Sequence, residues 1–272
     1  MFTFAPAAPA EVEPGDDVPG TTGVDNLYYN AIAAKLTPGT YSVVRLELSR
    51  NPRPFLSAEN LAQTCALFDA VIWYRGASDH FSLLMRQDQD ALASYLDHGG
   101  HLMIEARLLI AGTATDIELT APTTPGAISA AEGALREDAQ APHWVTRYFG
   151  STALIRAPLT GIADSTVIWG INFGSILQSS KYDLTVLNTP IIGGLRGFAL
   201  RDTHNVVLWA RENQLTPAVA RDIPVAISVP VPDNPPGLGR VILFTLPIVG
   251  LNGFGNAAIL LDNALNDLGL GP

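Results

Sequence analysis

The sequence predicts an α/β fold of the doubly wound type, in which helices cover both faces of a mostly parallel sheet. Three observations support this prediction. Strand and helix patterns alternate with short connections from residue 24 to about residue 110, the second half is rich in β-branched runs separated by turn residues, and an apolar helix closes the chain. Alternation of this kind is typical of βαβ units, which build parallel sheets.

The first half starts with residues 1–23, which are rich in proline and glycine with acidic residues between them. This composition predicts an extended arm. Residues 24–36 place apolar side chains on one face at helical spacing and predict a helix. The elements after it alternate, and we predict them at residues 41–48 (strand), 57–68 (helix), 69–76 (strand), 86–100 (helix ended by Gly99) and 101–110 (strand).

The alternation stops at residues 111–142, which are rich in Ala, Thr, Gly and Pro. They are too long for an ordinary connection and predict an insertion at the rim of the sheet. A short helix at residues 143–150 follows. The later strands are predicted at residues 165–171, 184–192, 197–202, 205–212, 225–232 and 239–248, before a helix that starts near Asn256 and stops at Gly269. Residues 24–272 therefore predict a single α/β domain with a β-rich second half.

The chain is poor in charge for its length. Charged residues make up 15% and hydrophobic residues 47% of its 272 residues, whereas the usual charged share is about 25%. A broad sheet covered on both faces explains this composition, because its strands are almost continuously apolar. Exposed apolar surface that meets a partner also explains it, and the two explanations are compatible.

Charge and cysteine content exclude several classes of function. The formal net charge is −10, the only lysines are Lys35 and Lys181, and no basic run exists. Binding to nucleic acid or to an anionic membrane surface is therefore not expected. No apolar run is long enough for a membrane span, and the first residues do not form an intact signal peptide. The single cysteine, Cys65, excludes an internal disulfide and a zinc site built on cysteines.

Several stretches together carry a resemblance to a known family. "FDAVIWYRG", "YLDHGGHLMIEARLL", "WVTRYFG" and "GRVILFTLPI" occur in this order, followed by the closing helix. They resemble the class I glutamine amidotransferase-like superfamily, and within it the trehalose-utilisation-like branch of bacterial surface and secreted domains. The resemblance covers residues 16–110 and 143–270. It implies a flavodoxin-like fold, and it favours the cell envelope or the outside of the cell over the cytoplasm.

The chain departs from this family at two places. Residues 10–15 do not form the apolar first strand of the family, so that strand comes from residues 2–5, is degraded or is absent. In amidotransferases of this fold, the strand after the double glycine ends in a sharp turn that presents a cysteine nucleophile. Here Glu105 stands near that position, and Cys65 lies on an apolar helix face where a cysteine behaves as a core residue. Cysteine-dependent amidotransfer is therefore rejected.

Ligands of open α/β sheets bind at the carboxyl ends of the strands. The candidate ligand-binding residues at this rim are Asp17, Arg75, Asp79, His80, Glu105 and Arg107. Glu105 and Arg107 alternate on one strand face and form either a structural salt bridge or a ligand-binding pair.

The other candidates also leave alternatives open. Asp79 and His80 form a base with its orienting carboxylate, or they point apart. Asp17 with Asp16 holds a metal or forms an acidic turn. His98 and His101 flank the double glycine at the opposite end of the strand. The glycine-rich stretches lack the features of a phosphate-binding loop, and no cofactor, metal site or catalytic residue is predicted.

Two hypotheses on function follow. The first is a non-catalytic binding or assembly module, an accessory or structural subunit that contacts other proteins, with the N-terminal arm as one means of contact. The second is a hydrolase that acts on a carbohydrate-like substrate at the rim, which rests on analogy of fold alone. An enzyme predicts a cleft that contains Glu105 within about 3 Å of a second titratable group. A binding module predicts a filled rim.

Overall fold

The computed structural model describes the helices and most of the strands, together with several turns. The described residues are 24–36, 43–44, 58–74, 86–105, 118–120, 147–148, 151–157, 166–170, 177–182, 195–200, 205–212, 222–246, 248–252 and 257–270. The predicted N-terminal arm, the predicted strand at 184–192 and most of the predicted insertion at 111–142 lie outside them.

Four helices and eleven strands are described. The helices are α1 (Val24–Lys35), α2 (Ala58–Cys65), α3 (Arg86–Asp97) and α4 (Ala257–Asp267), and a short 3-10 helix spans Ile248–Gly250. The strands are β1 (Ala70–Trp73), β2 (His101–Glu105), β3 (Glu118–Thr120), β4 (Ser151–Ala157), β5 (Thr166–Gly170), β6 (Leu177–Tyr182), β7 (Leu195–Leu200), β8 (Val206–Glu212), β9 (Asp222–Pro230), β10 (Arg240–Phe244) and β11 (Leu251–Asn252).

The strands form two sheets. Eight of them form a sheet in the order β1-β2-β10-β9-β8-β5-β6-β11, and β3, β4 and β7 form a smaller one. In the larger sheet, the β1–β2 and β2–β10 pairs are parallel, and the other five described pairs are antiparallel. The α/β class is confirmed, but the sheet is mixed and not mostly parallel.

Short connections explain the antiparallel part. A turn between β9 and β10 reverses the chain, and short turns of this kind join only antiparallel strands. Within this turn Asp233 has a φ of 67°, and Gly237 and Gly239 have φ values of 87° and 76°. The backbone of Val231 donates its N–H to the carbonyl of Gly239 at 3.1 Å and closes the hairpin. The sequence pattern identified these strands correctly, but it carried no signal for their direction.

Helices cover both faces of the parallel strands, as predicted. On one face, the side chains of Met103, Ile242 and Phe244 pack under α1 and α4. The closing helix contributes most to this layer, because it buries Leu260, Leu261, Ala264 and Leu265. Full burial of one leucine side chain stabilises the fold by roughly 1.5–3 kcal/mol, so α4 is a major part of the core.

The opposite face packs under α2 and α3. Leu102, Ile104 and Leu243 point to this side, because consecutive side chains of a strand alternate between faces. Leu61 of α2 and Leu92 of α3 bury their side chains against them. The parallel strands therefore form the middle layer of a three-layer α/β arrangement.

The two glycines between α3 and β2 are each required for a different physical reason. Gly99 has a φ of 91°, the left-handed conformation that ends many helices. A Cβ atom at Gly100 would lie 2.2 Å from the ring of Tyr95, so this position needs a glycine for space. The hydroxyl of Tyr95 lies over the start of β2, where it accepts a hydrogen bond from the backbone N–H of His101 at 3.2 Å. The pair of glycines thus lets α3 end directly above the first residue of β2.

The remaining element predictions divide into three groups. The predicted helices at residues 24–36, 57–68 and 86–100 and the closing helix are confirmed, and Gly269 has the φ of 79° expected at its stop. Strands β3, β4, β6 and β11 were not predicted, and β3 lies within the predicted insertion at residues 111–142. Of the predicted strand at residues 41–48 only Val43 and Val44 are described, and these two are not part of a strand.

Candidate functional site

The candidate site lies where the three parallel strands end. Glu105 is the last residue of β2 and pairs in register with Phe244, the last residue of β10. Tyr74 directly follows β1 on the other side of β2. The carboxyl ends of β1, β2 and β10 therefore meet around the Glu105 side chain, as expected of the rim at which open α/β sheets bind ligands.

The Glu105 carboxylate is enclosed by the protein. The residue is 2% exposed. Its Oε2 atom accepts a hydrogen bond from the Tyr28 hydroxyl of α1 and another from the backbone N–H of Ile248, at 3.0 Å from the Ile248 nitrogen. A buried carboxylate is costly unless it is hydrogen-bonded, and these donors offset part of that cost.

Tyr28 covers the carboxylate from the side of α1. It is 1% exposed, and its ring stacks on the ring of Tyr74 with 4.1 Å between the ring centroids and 13° between their planes. Burial raises the pKa of Tyr28 well above its ordinary value, and the negative charge of Glu105 and the hydrogen bond to it raise this pKa further. Tyr28 therefore stays a protonated phenol that donates to Glu105.

The local sequence explains how these donors reach the carboxylate. Tyr28 belongs to the apolar face of α1, so helix packing turns its ring toward the sheet. After β10, both the backbone N–H and the side-chain hydroxyl of Thr245 donate to the carbonyl of Val225, at 2.9 and 3.0 Å. This anchored turn leads into the 3-10 helix, whose first N–H, that of Ile248, has no partner within its own turn and points to Glu105.

The arrangement favours a structural role over catalysis by Glu105. A carboxylate that acts as base or nucleophile must reach the substrate, whereas a side chain with 2% exposure does not reach solvent. One expectation for an enzyme is met, because a second titratable group, the Tyr28 phenol, is hydrogen-bonded to Glu105. The same contact fills the rim at this point, as expected of a binding module.

The other predicted site residues do not enter this description. Asp17, Arg75, Asp79, His80 and Arg107 all lie outside the described residues, and so does Asp16. The pairing of Glu105 with Arg107 therefore stays a prediction. The partners of Glu105 that are observed, Tyr28 and Ile248, are different groups on different elements.

Sequence reasoning missed Tyr28, Tyr74 and Ile248 as parts of the site. Tyr28 was assigned only to the apolar face of the first helix. A usable signal was present, since Tyr28 lies on the apolar face of its helix and a buried tyrosine hydroxyl usually needs a hydrogen-bond partner. The backbone donor at Ile248 left no signal, because any residue type supplies an N–H at that position.

Cys65 and two histidines lie where the sequence placed them. Cys65 is 5% exposed and belongs to the core under α2 and α3, and burial raises the pKa of its thiol to about 11. His98 is exposed after the last turn of α3, with its Nδ1 atom 2.6 Å from the carbonyl oxygen of Ser94. His101 begins β2 at the edge opposite to Glu105. The structural interpretation of Cys65 is confirmed.

Within the described parts of the chain, no group of three or more histidine, cysteine, aspartate or glutamate side chains is arranged to hold a metal ion. None of the described helices combines the length and apolar character needed to cross a membrane. No protein-family model, no curated protein and no solved structure matches this chain. The geometry of the molecule itself is therefore the basis for a function.

Proposed function

We propose that this protein is a non-catalytic binding or assembly module, an accessory subunit that contacts other proteins. Its scaffold is a flavodoxin-like domain of the amidotransferase-like kind, in which the position of the nucleophile has become a structural contact. One observation carries the proposal: Glu105 is 2% exposed and its Oε2 atom is held by two donors.

The enclosure of Glu105 connects three separate elements. Tyr28 comes from α1, Glu105 from β2 and Ile248 from the 3-10 helix before α4. A catalytic carboxylate at this rim would need an open approach, and opening one would break the contacts that hold α1 and the start of the 3-10 helix to the sheet. The alternative, a hydrolase for carbohydrate-like substrates, would have to use other residues of the rim.

Exposed apolar side chains offer positions at which a partner is held. The large hydrophobic side chains that the described residues expose are Tyr29, Val44, Leu67, Leu238 and Ile259. Leu67 is the most exposed at 75%, followed by Leu238 at 53%. Both precede parallel strands, Leu67 before β1 and Leu238 before β10, so they lie toward the edge opposite to Glu105.

The test is purification of the tagged chain from its native host, followed by size-exclusion chromatography with light scattering and mass spectrometry. The proposal expects a particle larger than the 28.9 kDa chain, with a partner present in constant ratio. Leu67→Glu and Leu238→Glu test the edge opposite to Glu105, and Ile259→Glu tests the exposed apolar position on α4. Elution of the wild-type chain as a lone monomer would overturn the proposal.

A further inference from the structure

The edge opposite to Glu105 carries a histidine next to an arginine. His101, the first residue of β2, is in register with Arg240, the first residue of β10. Residues in register on parallel strands point to the same face, and the strands lie about 4.8 Å apart. The two side chains are therefore neighbours on the face that α1 and α4 cover.

Arg240 is fixed in place by β9 and α4. Its Nη1 atom donates to the Ser228 hydroxyl at 3.0 Å and lies 3.4 Å from Oδ2 of Asp267, and the Ser228 hydroxyl donates to the same Asp267 oxygen. Asp267 is the last residue of α4, where a carboxylate is unfavourable because of the helix dipole. The guanidinium offsets this effect and ties the end of α4 to the start of β10.

The backbone of His101 is held in place at the start of β2. The Tyr95 hydroxyl lies 3.2 Å from both the backbone nitrogen and the backbone oxygen of His101, and this contact fixes the start of β2. The Nδ1 atom of the His101 ring is buried, and the described residues supply no hydrogen-bond partner for it. Burial lowers the pKa of His101 and the positive charge of Arg240 lowers it further, while Asp69 acts in the opposite direction.

Neither of the two described carboxylates near this pair is placed to neutralise a second positive charge. Asp69 precedes β1 and is exposed, so water screens its charge. Asp267 is engaged by Arg240 and Ser228, and the group of α3 that contacts His101 is the neutral hydroxyl of Tyr95. The cation of α1, Lys35, is paired with Asp262 of α4 at 2.6 Å.

We propose that His101 and Arg240 form an acid-sensitive joint between β2, β10 and the end of α4. Protonation of His101 places two cations side by side on neighbouring strands, and the start of β10 with the end of α4 loosens in response. The unfolded chain binds this proton more readily than the folded one. The stabilising effect is therefore complete above the unfolded pKa of about 6.5 and is lost as the pH falls below it.

Hydrogen exchange of the full-length protein at pH 7 and pH 5, corrected for intrinsic rates, tests this joint. The amides of Leu268 and Leu270, which bond to Ala264 and Leu265, report on the end of α4. We expect their protection to fall severalfold at pH 5 in the wild type and in the control variant His98→Gln, and to fall less in His101→Gln. An equal loss in His101→Gln would overturn the proposal.

Titration of the histidine rings by NMR keeps the proposal testable if His101→Gln does not fold. The His101 ring of the wild type is expected to titrate below the ordinary range. Arg240→Gln should move this titration upward, whereas Arg240→Lys, which keeps the charge, should leave it low. A wild-type His101 that titrates at or above pH 6.5, or one that Arg240→Gln does not move, would overturn the proposal.

Discussion

Tyr28→Phe tests whether the Glu105 carboxylate depends on its phenol donor. The substitution removes one oxygen and keeps the ring that stacks on Tyr74. A hydrogen bond to a charged group contributes about 1.5–3 kcal/mol to stability, and leaving a buried acceptor without its donor costs a similar amount. Since Glu105 is 2% exposed, water cannot replace the phenol. We expect a loss of about 2 kcal/mol in the free energy of unfolding, measured by urea denaturation.

Tyr148→Phe is a matched comparison, because Tyr148 also donates its hydroxyl to a carboxylate, Oδ1 of Asp97 at 2.9 Å. The Asp97 side chain is 35% exposed and also receives the Arg147 guanidinium at 2.8 Å. Water and Arg147 therefore take over part of what the phenol supplied, and we expect a loss below about 1 kcal/mol. The difference between the two variants measures the effect of burial.

A double-mutant cycle separates the bond from general loss of packing. In the background of Glu105→Gln, the Tyr28 hydroxyl donates to a neutral amide, and such bonds are about half as strong as those to a carboxylate. Tyr28→Phe should then cost about 1 kcal/mol less than in the wild type. Equal costs of Tyr28→Phe in both backgrounds, or a cost no larger than that of Tyr148→Phe, would refute this account of the site.

Three further predictions concern stability and reactivity. Gly100→Ala places a Cβ atom 2.2 Å from the Tyr95 ring and should lower the free energy of unfolding by about 3 kcal/mol. A Cβ atom at Gly237 meets no atom within 4 Å, so Gly237→Ala should lower it by only roughly 1–2 kcal/mol, because the φ of this residue is positive. Equal shifts in melting temperature for the two variants would contradict this. The Cys65 thiol, with a pKa of about 11, stays protonated at pH 8 and should react with Ellman's reagent only in denaturant, and Cys65→Ser should leave the fold intact; fast labelling of the native chain would disprove its burial. Leu260→Asp buries a charge at a residue with 0% exposure and should prevent folding, while Ile259→Asp, at 43% exposure, should fold normally by circular dichroism.

The sequence predicted the elements that local pattern determines. Apolar residues at helical spacing and a closing glycine identified α4, and the glycine after α3 has the positive φ that a helix stop requires. Burial of Cys65 followed from its place on an apolar helix face. These features depend on neighbours within a few positions along the chain, so their signals lie within one stretch of sequence.

The direction of the later strands and the partners of Glu105 depend on distant residues. Tyr28 is 77 positions and Ile248 is 143 positions away from Glu105 along the chain. No local pattern specifies such pairs, and the donor at Ile248 is a backbone group that carries no residue signature. The sequence predicted a strand at residues 101–110 with Glu105 as a candidate rim residue, and the fold shows that β2 ends at Glu105 and which groups enclose it there.

The neighbour of β2 in the sheet has a consequence for synthesis on the ribosome. Strand β10, which pairs with β2, ends shortly before Ile248, and Ile248 lies 143 residues beyond Glu105. At translation rates of about 5–20 residues per second, the nascent chain waits roughly 7–30 seconds before that segment emerges. During this interval β2 offers an unpaired row of amides and carbonyls, the kind of edge that joins wrong partners. A chaperone that shields this edge until the last hairpin is made would raise the yield of native protein.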